Sequence, residues 1–184
     1  AEDEAIIRLD LKELLEEQGY EVVGETGRGD EVVDLVRRLS PDAVILDIKM
    51  PGKDGITVAK EIADERLAAV LVLTAFSQRD LIEQARDAGA LAYLVKPFQA
   101  VDLVPAIEVA IGRFSEVVAL EQEAADLAER LSARKLVDRA KGVLMDEHGM
   151  TEQLAWRYIQ SQAMSQRQKV SEIAQRVVDR VLAP

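Results

Sequence analysis

The sequence contains no cysteine and only one histidine among its 184 residues. These absences exclude disulfide bonds, thiol nucleophiles, zinc sites built on cysteine and metal sites built on paired histidines. Long hydrophobic runs are missing too, since the longest, residues 67–76, is about half the roughly 20 residues that a membrane helix needs. The acidic start has none of the features of a signal peptide. We therefore expect a cytoplasmic protein that does not engage a membrane.

Acidic residues outnumber basic ones, but the imbalance is confined to one part of the chain. Residues 1–112 hold 12 Lys and Arg against 23 Asp and Glu, a net charge of −11, whereas residues 113–184 hold 11 of each. From Arg134 onward, nine basic residues stand against six acidic ones. An acidic body does not attract nucleic acid, so only the last segment has a charge suited to binding it.

Strand-like apolar runs and helical periodicity alternate up to about residue 112. This alternation predicts an α/β domain over 1–112, with a doubly wound parallel sheet and helices on both faces. Only Ala1 stands where a strand should precede Glu2, so we expect the first strand to be largely missing from this chain. The predicted strands are 21–25, 43–47, 70–74 and 92–96, and the predicted helices are 6–18, 30–38, 55–65, 78–88 and 100–112.

Beyond Gly112 the strand pattern ends, and residues 113–133 predict a helical linker with coiled-coil character. Its flanking positions would place Glu116 against Glu121, and Arg130 against Lys135, in a parallel pair, so we expect only weak dimerisation. The alternative is that this helix packs against its own chain. The apolar residues of the seam alternate spacings of three and four, and they are Val117, Leu120, Ala124, Leu127 and Leu131.

A small three-helix bundle is predicted over 134–184, from helices at 132–148, 151–164 and 170–182. Thr151 is the expected N-cap of the second of these helices. Gly142 lies inside the first, where glycine costs about 1 kcal/mol relative to alanine. It therefore indicates close approach of another helix or of RNA. Trp156, the only tryptophan, either packs into the core or stacks on a base.

Side chains suited to phosphoryl transfer fall at the ends of the predicted strands. In open parallel sheets, ligands bind outside the carboxyl ends of the strands. Clustered carboxylates repel one another unless a cation lies among them, and hard oxygen ligands suit Mg²⁺. Asp47 is the predicted nucleophile toward phosphorus, with charge on the phosphoryl oxygens balanced by the metal and by Lys96. The full set is Glu2, Asp3, Asp47, Thr74 and Lys96.

These residues fall into four motifs that occur in order: Glu2-Asp3, Asp47-x-x-Met50-Pro51-x-x-Asp54-Gly55, Thr74-Ala75 and Tyr93-x-x-Lys96-Pro97. In them, residues 1–112 resemble the receiver domain of bacterial two-component response regulators, which has a flavodoxin-like fold. The resemblance implies transfer of a phosphoryl group from a phosphohistidine on a sensor histidine kinase to Asp47.

The same resemblance implies further roles for individual residues. Mg²⁺ would be held by Asp3, Asp47 and the backbone carbonyl of Lys49, with Glu2 acting through water. Thr74 would contact the phosphoryl group, and Tyr93 would be the switch aromatic that turns inward when Thr74 does so. The Lys96–Pro97 peptide bond is expected to be cis.

The stretch Arg134-Lys135-Leu136-Val137-Asp138-Arg139-Ala140-Lys141-Gly142-Val143-Leu144-Met145 begins a second resemblance. Together with Ala155-Trp156, Ala163-Met164 and Ile173-Ala174, it resembles an ANTAR domain over about residues 125–182. That family is a three-helix RNA-binding output of transcription antiterminators. The whole chain is thus similar to phosphorylation-dependent antitermination regulators, which implies RNA hairpins as partners.

The basic residues of this tail are candidates for contacts to RNA phosphates or loop bases. Phosphorylation at Asp47 is expected to favour a homodimer whose paired tails bind RNA. A tail that binds duplex DNA or a protein partner is the alternative. We expect no separate catalytic domain, because no nucleophile, base and orienting group occur at a recognisable spacing. The candidate RNA-binding residues are Arg134, Lys135, Arg139, Lys141, Arg157, Arg167 and Lys169.

Overall fold

The computed structural model describes residues 1–75 and 79–183, and the chain divides into two compact units, Ala1–Ala119 and Leu120–Pro184. The described residues form three strands, β1 (Ala43–Asp47), β2 (Ala69–Ala75) and β3 (Ala92–Lys96). They also form seven helices, which are α1 (Ala5–Glu17), α2 (Gly29–Leu39), α3 (Gly55–Asp64), α4 (Arg79–Asp87), α5 (Ala100–His148), α6 (Glu152–Gln166) and α7 (Val170–Val178). The start predicted for α4, Gln78, lies outside the described residues.

The strands form one parallel sheet in the order β1-β2-β3. Asp47 at the end of β1 is paired with Leu73, and Lys96 at the end of β3 is paired with Ala75. Because all three strands run in the same direction, their carboxyl ends meet at one edge of the sheet. The register therefore brings the predicted site residues of β1, β2 and β3 to a common edge.

Alternate residues of β2 pack on opposite faces of the sheet, as the pleat of a strand requires. Val70 and Val72 belong to one buried cluster with residues of α2, α3 and α4. Leu71 and Leu73 belong to another, with Leu11 of α1 and residues of α5. Helices thus cover both faces of a buried parallel sheet, and the predicted α/β, doubly wound class is confirmed.

The strand predicted over 21–25 is wrong, because this segment has no hydrogen-bond ladder in the structure. The contact beside it is a single bond in which the Glu2 N–H donates to the Thr26 carbonyl at 3.1 Å. On the other side, the Ala1 nitrogen donates to the Ile45 carbonyl at 2.8 Å, and the Asp47 N–H donates to the Ala1 carbonyl at 2.9 Å. Ala1 and Glu2 thus connect this part of the chain to β1 through three hydrogen bonds. A strand needs a longer run of hydrogen bonds to one neighbouring strand.

The predicted breaks between helices 100–112, 113–133 and 132–148 are also wrong. These residues form one continuous helix of 49 residues, α5. A glycine such as Gly112 weakens a helix by about 1 kcal/mol without ending it, and its Ala-, Leu-, Glu- and Arg-rich surroundings have high helix propensity. The helix ends where predicted, at His148, and Gly149 follows with a φ of +63°.

The second unit has its own core, built from the last part of α5 with α6 and α7. Six of its side chains are fully buried, and four of the eight residues of the buried cluster are alanine, which allows the helices to approach closely. Thr151 caps α6 as predicted, because its hydroxyl accepts from the Leu154 N–H at 3.4 Å. The fully buried residues are Ala140, Leu144, Ala155, Ile159, Ile173 and Ala174.

Gly142 does not mark a contact between helices. No atom of another described segment lies within 4 Å of the position that its Cβ would occupy. Helix packing therefore does not explain this glycine, whereas it does explain Ala140 two residues earlier. The predicted approach of another helix is therefore not supported, and the approach of RNA remains a prediction.

None of the helices in residues 1–75 and 79–183 combines the length and the apolar character needed to cross a membrane.

Candidate functional site

Three carboxylates converge beside the end of β1. Asp47 is the last residue of the strand and is 7% exposed, Glu2 is fully buried, and Asp3 is exposed at the mouth. One oxygen from each of the three lies within 4.8 Å of the others. The Lys49 N–H donates to Oδ2 of Asp47 at 2.7 Å, which fixes the orientation of that carboxylate. The structure thus assembles the predicted acidic cluster.

Lys96 joins this cluster from the end of β3. Its Nζ lies 2.5 Å from Oδ1 of Asp47 and 2.5 Å from Oε2 of Glu2, so one ammonium neutralises part of the charge of two buried carboxylates. Burial raises the pKa of Glu2, although the hydrogen bond from Lys96 opposes this shift. For Lys96, burial lowers the pKa, but hydrogen bonds to Asp47 and Glu2 outweigh it and leave the pKa raised. The Lys96–Pro97 bond is cis, as predicted.

Glycine at position 55 lets the loop after Asp47 fold tightly over the strand end. A Cβ at Gly55 would lie 2.0 Å from the Asp47 carbonyl oxygen. The Gly55 N–H instead donates to the Ile48 carbonyl at 2.8 Å. Asp54 then caps α3 by accepting from the backbone N–H of Thr57 at 2.9 Å and from its hydroxyl at 2.6 Å. The Gly55 backbone bond and the Asp54 cap therefore hold the loop that follows Asp47.

Arg8 is a member of the site that the sequence did not reveal. Its Nη1 donates to the Glu2 carbonyl at 2.6 Å, which ties α1 to the segment that holds the acidic pair. Gly27 makes room for it, because a Cβ there would lie 3.1 Å from the same guanidinium nitrogen. No side-chain pattern in the sequence pointed to Arg8, because its contact is to a backbone carbonyl.

Thr74 and Tyr93 occupy different environments at this edge. Thr74 is 1% exposed, and its hydroxyl donates to the Ala75 carbonyl at 3.3 Å. Tyr93 lies in β3 and is 53% exposed, so its ring points outward in this structure. The inward position expected of a switch aromatic remains a prediction.

The predicted heptad seam faces solvent. Leu120, Leu127 and Leu131 are each more than half exposed, Ala124 is exposed and Val117 is partly buried. The alternative prediction, that this stretch of α5 packs against its own chain, is therefore not supported by these side chains. An exposed apolar stripe of this length is a surface that a second helix could cover.

The candidate RNA-binding cations lie mainly on the surface of the second unit. Arg134, Lys135 and Arg139 are exposed on α5, as is Arg157 on α6. Arg167 and Lys169 are exposed between α6 and α7. Lys141 differs, because its Nζ lies 2.8 Å from Oδ1 of Asp138 and 2.8 Å from Oε1 of Glu152. Arg134 and Lys141 come together with Trp156 along one groove.

Comparison with known proteins assigns this arrangement to a family. The sequence model of the response regulator receiver domain matches residues 1–108, and that of the ANTAR domain matches residues 125–178. The transcriptional regulatory protein PdtaR of Mycobacterium tuberculosis is 58% identical over 184 residues, which is 100% of this chain and 90% of that protein. This chain is a response regulator with an ANTAR domain.

The response regulator also resembles solved receiver domains over its first unit. A receiver domain protein from Clostridium thermocellum is 35% identical, with a TM-score of 0.57, over 63% of this chain and 94% of that one. The receiver domain of a sensor histidine kinase from Pseudomonas aeruginosa is 28% identical, with a TM-score of 0.55, over 61% of this chain and 93% of that one. A magnesium ion is coordinated in the active site cleft of that structure.

Proposed function

We propose that this response regulator accepts a phosphoryl group on Asp47 from a sensor histidine kinase. In this step the bond from phosphorus to the histidine nitrogen breaks, and a bond from phosphorus to a carboxylate oxygen of Asp47 forms. The observation that supports it is the position of Asp47 at a strand end, fixed through one oxygen by the Lys49 N–H and contacted at the other by Lys96. The proposed chemistry is confined to this phosphoryl transfer and to hydrolysis of the aspartyl phosphate, in which the phosphoryl group passes from Asp47 to water.

The donor set fits a magnesium ion. Three carboxylates offer oxygens within 4.8 Å of one another, and hard oxygen ligands with retained water suit Mg²⁺. Asp3, Asp47 and the Lys49 carbonyl would hold the ion, with Glu2 acting through water. A bound Mg²⁺ supplies charge neutralisation on the phosphoryl oxygens. The Nζ of Lys96 lies 2.5 Å from Oδ1 of Asp47, so we expect it to contact a phosphoryl group bound to Asp47.

The output that we propose is phosphorylation-controlled RNA binding in the cytoplasm. Phosphate on Asp47 would favour a homodimer through the exposed seam of α5, and the paired ANTAR domains would bind hairpin loops so that transcription passes a terminator. The exposed seam supports this scheme, because a short apolar stripe makes a marginal dimer whose population a switch can shift. The exposed cations of the second unit support an anionic ligand.

Binding measurements separate this function from its alternatives. The phosphorylated and unphosphorylated proteins are compared on a two-hairpin RNA, chosen from a pool with randomised loops, and on duplex DNA. We expect tighter binding of the phosphorylated form to the RNA, with affinity that falls as salt rises. Preference for duplex DNA, or affinity that ignores phosphorylation, would overturn the proposal.

Replacing Leu127 with Glu is expected to prevent phosphorylation-dependent dimerisation. Leu127 is 57% exposed in the middle of the seam, so the change should leave monomer stability within about 0.5 kcal/mol. In a dimer, however, it would bury a charge in the apolar layer. Sedimentation before and after phosphorylation measures the effect. Ala125→Glu, also on exposed helix but outside the seam, is the control and should dimerise like the original chain.

Replacing Gly142 with Ala is expected to have opposite effects on stability and on RNA binding. No atom of the described residues outside the helix lies within 4 Å of the new methyl group, so the higher helix propensity should stabilise the second unit by about 0.5–1 kcal/mol. RNA affinity should fall, because the methyl group occupies the space by which the backbone is approached. Urea denaturation and RNA titration check the two effects. Higher stability with unchanged affinity would show that no RNA contacts this position.

A further inference from the structure

Trp156 lines two adjoining grooves on the surface of the second unit. One has a volume of about 460 Å³ and the other about 390 Å³, and Arg134, Val137 and Trp156 border both. Trp156 is 37% exposed, although its neighbour Ala155 and Ile159 one turn later are fully buried. More than a third of Trp156 is thus left open to solvent beside this buried core. Part of the side chain of the only tryptophan in the chain is therefore accessible to a ligand.

The charged side chains that line the larger groove balance one another. Arg134 and Lys141 are opposed by Asp138 and Glu152, so the lining has no net charge. Lys141 lies between the two carboxylates, at 2.8 Å from each. This pairing lowers the pKa of Asp138 through the hydrogen bond from Lys141. A groove with no net charge and an aromatic side chain in its lining favours a flat, neutral and polar ring as its ligand over a bare phosphate or a cation.

Glu152 is placed to bind the edge of such a ring. It stands four residues before Trp156 on α6, so the two side chains are on the same face of the helix. Its Oε1 is held by Lys141, and its Oε2 keeps the capacity to accept from an N–H donor. A carboxylate beside an aromatic face provides an acceptor for a ring that is stacked there. Unpaired RNA bases are recognised through this combination of stacking and bonds to their edges.

The neighbouring face of α5 offers contacts for the phosphates on either side of a base. Lys135, Arg139 and Gly142 follow one another at spacings of four and three residues, so they lie on one helical face. Both cations are exposed, and nothing from another described segment covers Gly142 within 4 Å of its Cβ position. The backbone of a nucleic acid could pass over this face beside the groove.

We propose that the groove at Trp156 holds one unpaired RNA base, stacked on the indole and donating a hydrogen bond from its N–H edge to Glu152. The proposal rests on the RNA binding proposed above and assigns the base-contacting residues of that site. Lys141 acts as a positioning residue, since it holds the Glu152 carboxylate beside Trp156.

Intrinsic fluorescence tests the stacking directly, because Trp156 is the only tryptophan. The phosphorylated full chain is titrated with the selected two-hairpin RNA and with copies in which each loop nucleotide in turn is made abasic. We expect quenching by the intact RNA, and one loop position at which the abasic copy loses both the quenching and about tenfold in affinity. Trp156→Leu should lose a similar factor with the intact RNA and be indifferent to that position, whereas Trp156→Phe should keep most of the affinity.

The edge contact is tested at the same loop position by methylating the N–H groups of the base. The original chain should bind the methylated RNA several-fold more weakly, and Glu152→Gln should discriminate less between the two RNAs. Glu172→Gln, an acidic residue in the first turn of α7, is the matched control and should discriminate like the original chain. Circular dichroism confirms that each variant is folded.

The outcomes distinguish this proposal from the one on which it rests. No retention of any RNA by the phosphorylated chain would end the proposed function. RNA binding without change in tryptophan fluorescence, and without sensitivity to any abasic position, would end the base-binding groove alone. Quenching by a lysine-rich peptide but by none of the RNAs would mean that the groove binds a protein segment.

Discussion

Replacing Asp47 with Asn is expected to abolish phosphorylation of the chain. The amide has no nucleophilic carboxylate oxygen, so the phosphoryl group released by the donor would have no acceptor at the end of β1. The fold should survive, because an Asn oxygen can still accept from the Lys49 N–H, which now donates to Asp47 at 2.7 Å. Removing one of two carboxylates bound to a single ammonium should leave the free energy of unfolding without Mg²⁺ unchanged or higher.

Intact mass after incubation with a small acyl phosphate and Mg²⁺ measures this loss. The original chain should gain one phosphoryl group, and the Asp47→Asn variant none. Asp42→Asn removes an exposed carboxylate just before β1 and serves as the control, which should label normally. If Asp47→Asn still gains the mass of a phosphoryl group, the acceptor lies elsewhere and the proposed input of the protein is incorrect.

Replacing Lys96 with Met is expected to destabilise the metal-free receiver by about 3 kcal/mol. The change removes the ammonium that lies 2.5 Å from both Glu2 and Asp47, and leaves two buried carboxylates without it. Added Mg²⁺ should recover more stability in the variant than in the original chain. Lys96 contacts two of the three carboxylates that would hold the ion, so its removal should also strengthen Mg²⁺ binding several-fold.

The deficit caused by Lys96→Met should also depend on pH. The pKa of Glu2 is already raised by burial, and loss of the Lys96 hydrogen bond raises it further. A group whose pKa is raised on folding contributes stability below its unfolded pKa and loses it as pH rises through the folded value. The deficit should therefore shrink as pH falls toward the ordinary range of a glutamate.

Circular dichroism is the signal to monitor during urea denaturation in this experiment, because the fluorescence of Trp156 reports on the second unit and not on the receiver. Lys60→Met is the matched control, since the Lys60–Asp64 pair is exposed and should contribute less than about 1 kcal/mol. Equal effects of the two substitutions, or a deficit at Lys96 that neither Mg²⁺ nor low pH reduces, would show that Lys96 does not neutralise the cluster.

The proposed phosphoryl site could be predicted from the sequence because sheet topology fixes where strand ends lie. Asp47 and Lys96 follow apolar runs, and parallel strands bring such ends to one edge whatever the details of packing. Arg8 escaped notice because its contact is to a backbone carbonyl, which no side-chain pattern encodes. The prediction of a strand over 21–25 failed for a related reason. Residues with high β propensity form a hydrogen-bond ladder only where a partner strand lies beside them.

The organisation of residues 113–184 was harder to predict, because the same helical periodicity is compatible with several arrangements of helices. The seam, the linker and the first helix of the bundle all repeat every three or four residues, and nothing in that pattern marks where one ends. Gly112 and Gly142 both suggested special positions, yet among the described residues no other segment lies within 4 Å of either Cβ position. A helical glycine therefore does not by itself identify what approaches it, and contact of RNA with Gly142 remains a proposal.

By itself, the sequence determined the α/β class, the residues at the carboxyl ends of the strands and the place where α5 ends. These follow from local rules of periodicity, strand direction and helix termination that do not depend on distant contacts. Tertiary structure alone decided that Lys96 neutralises both Glu2 and Asp47, that α5 runs unbroken, and that Trp156 lines a groove with balanced charge. Such features depend on which side chains of separate elements come within a few ångströms, and a linear pattern does not encode those distances.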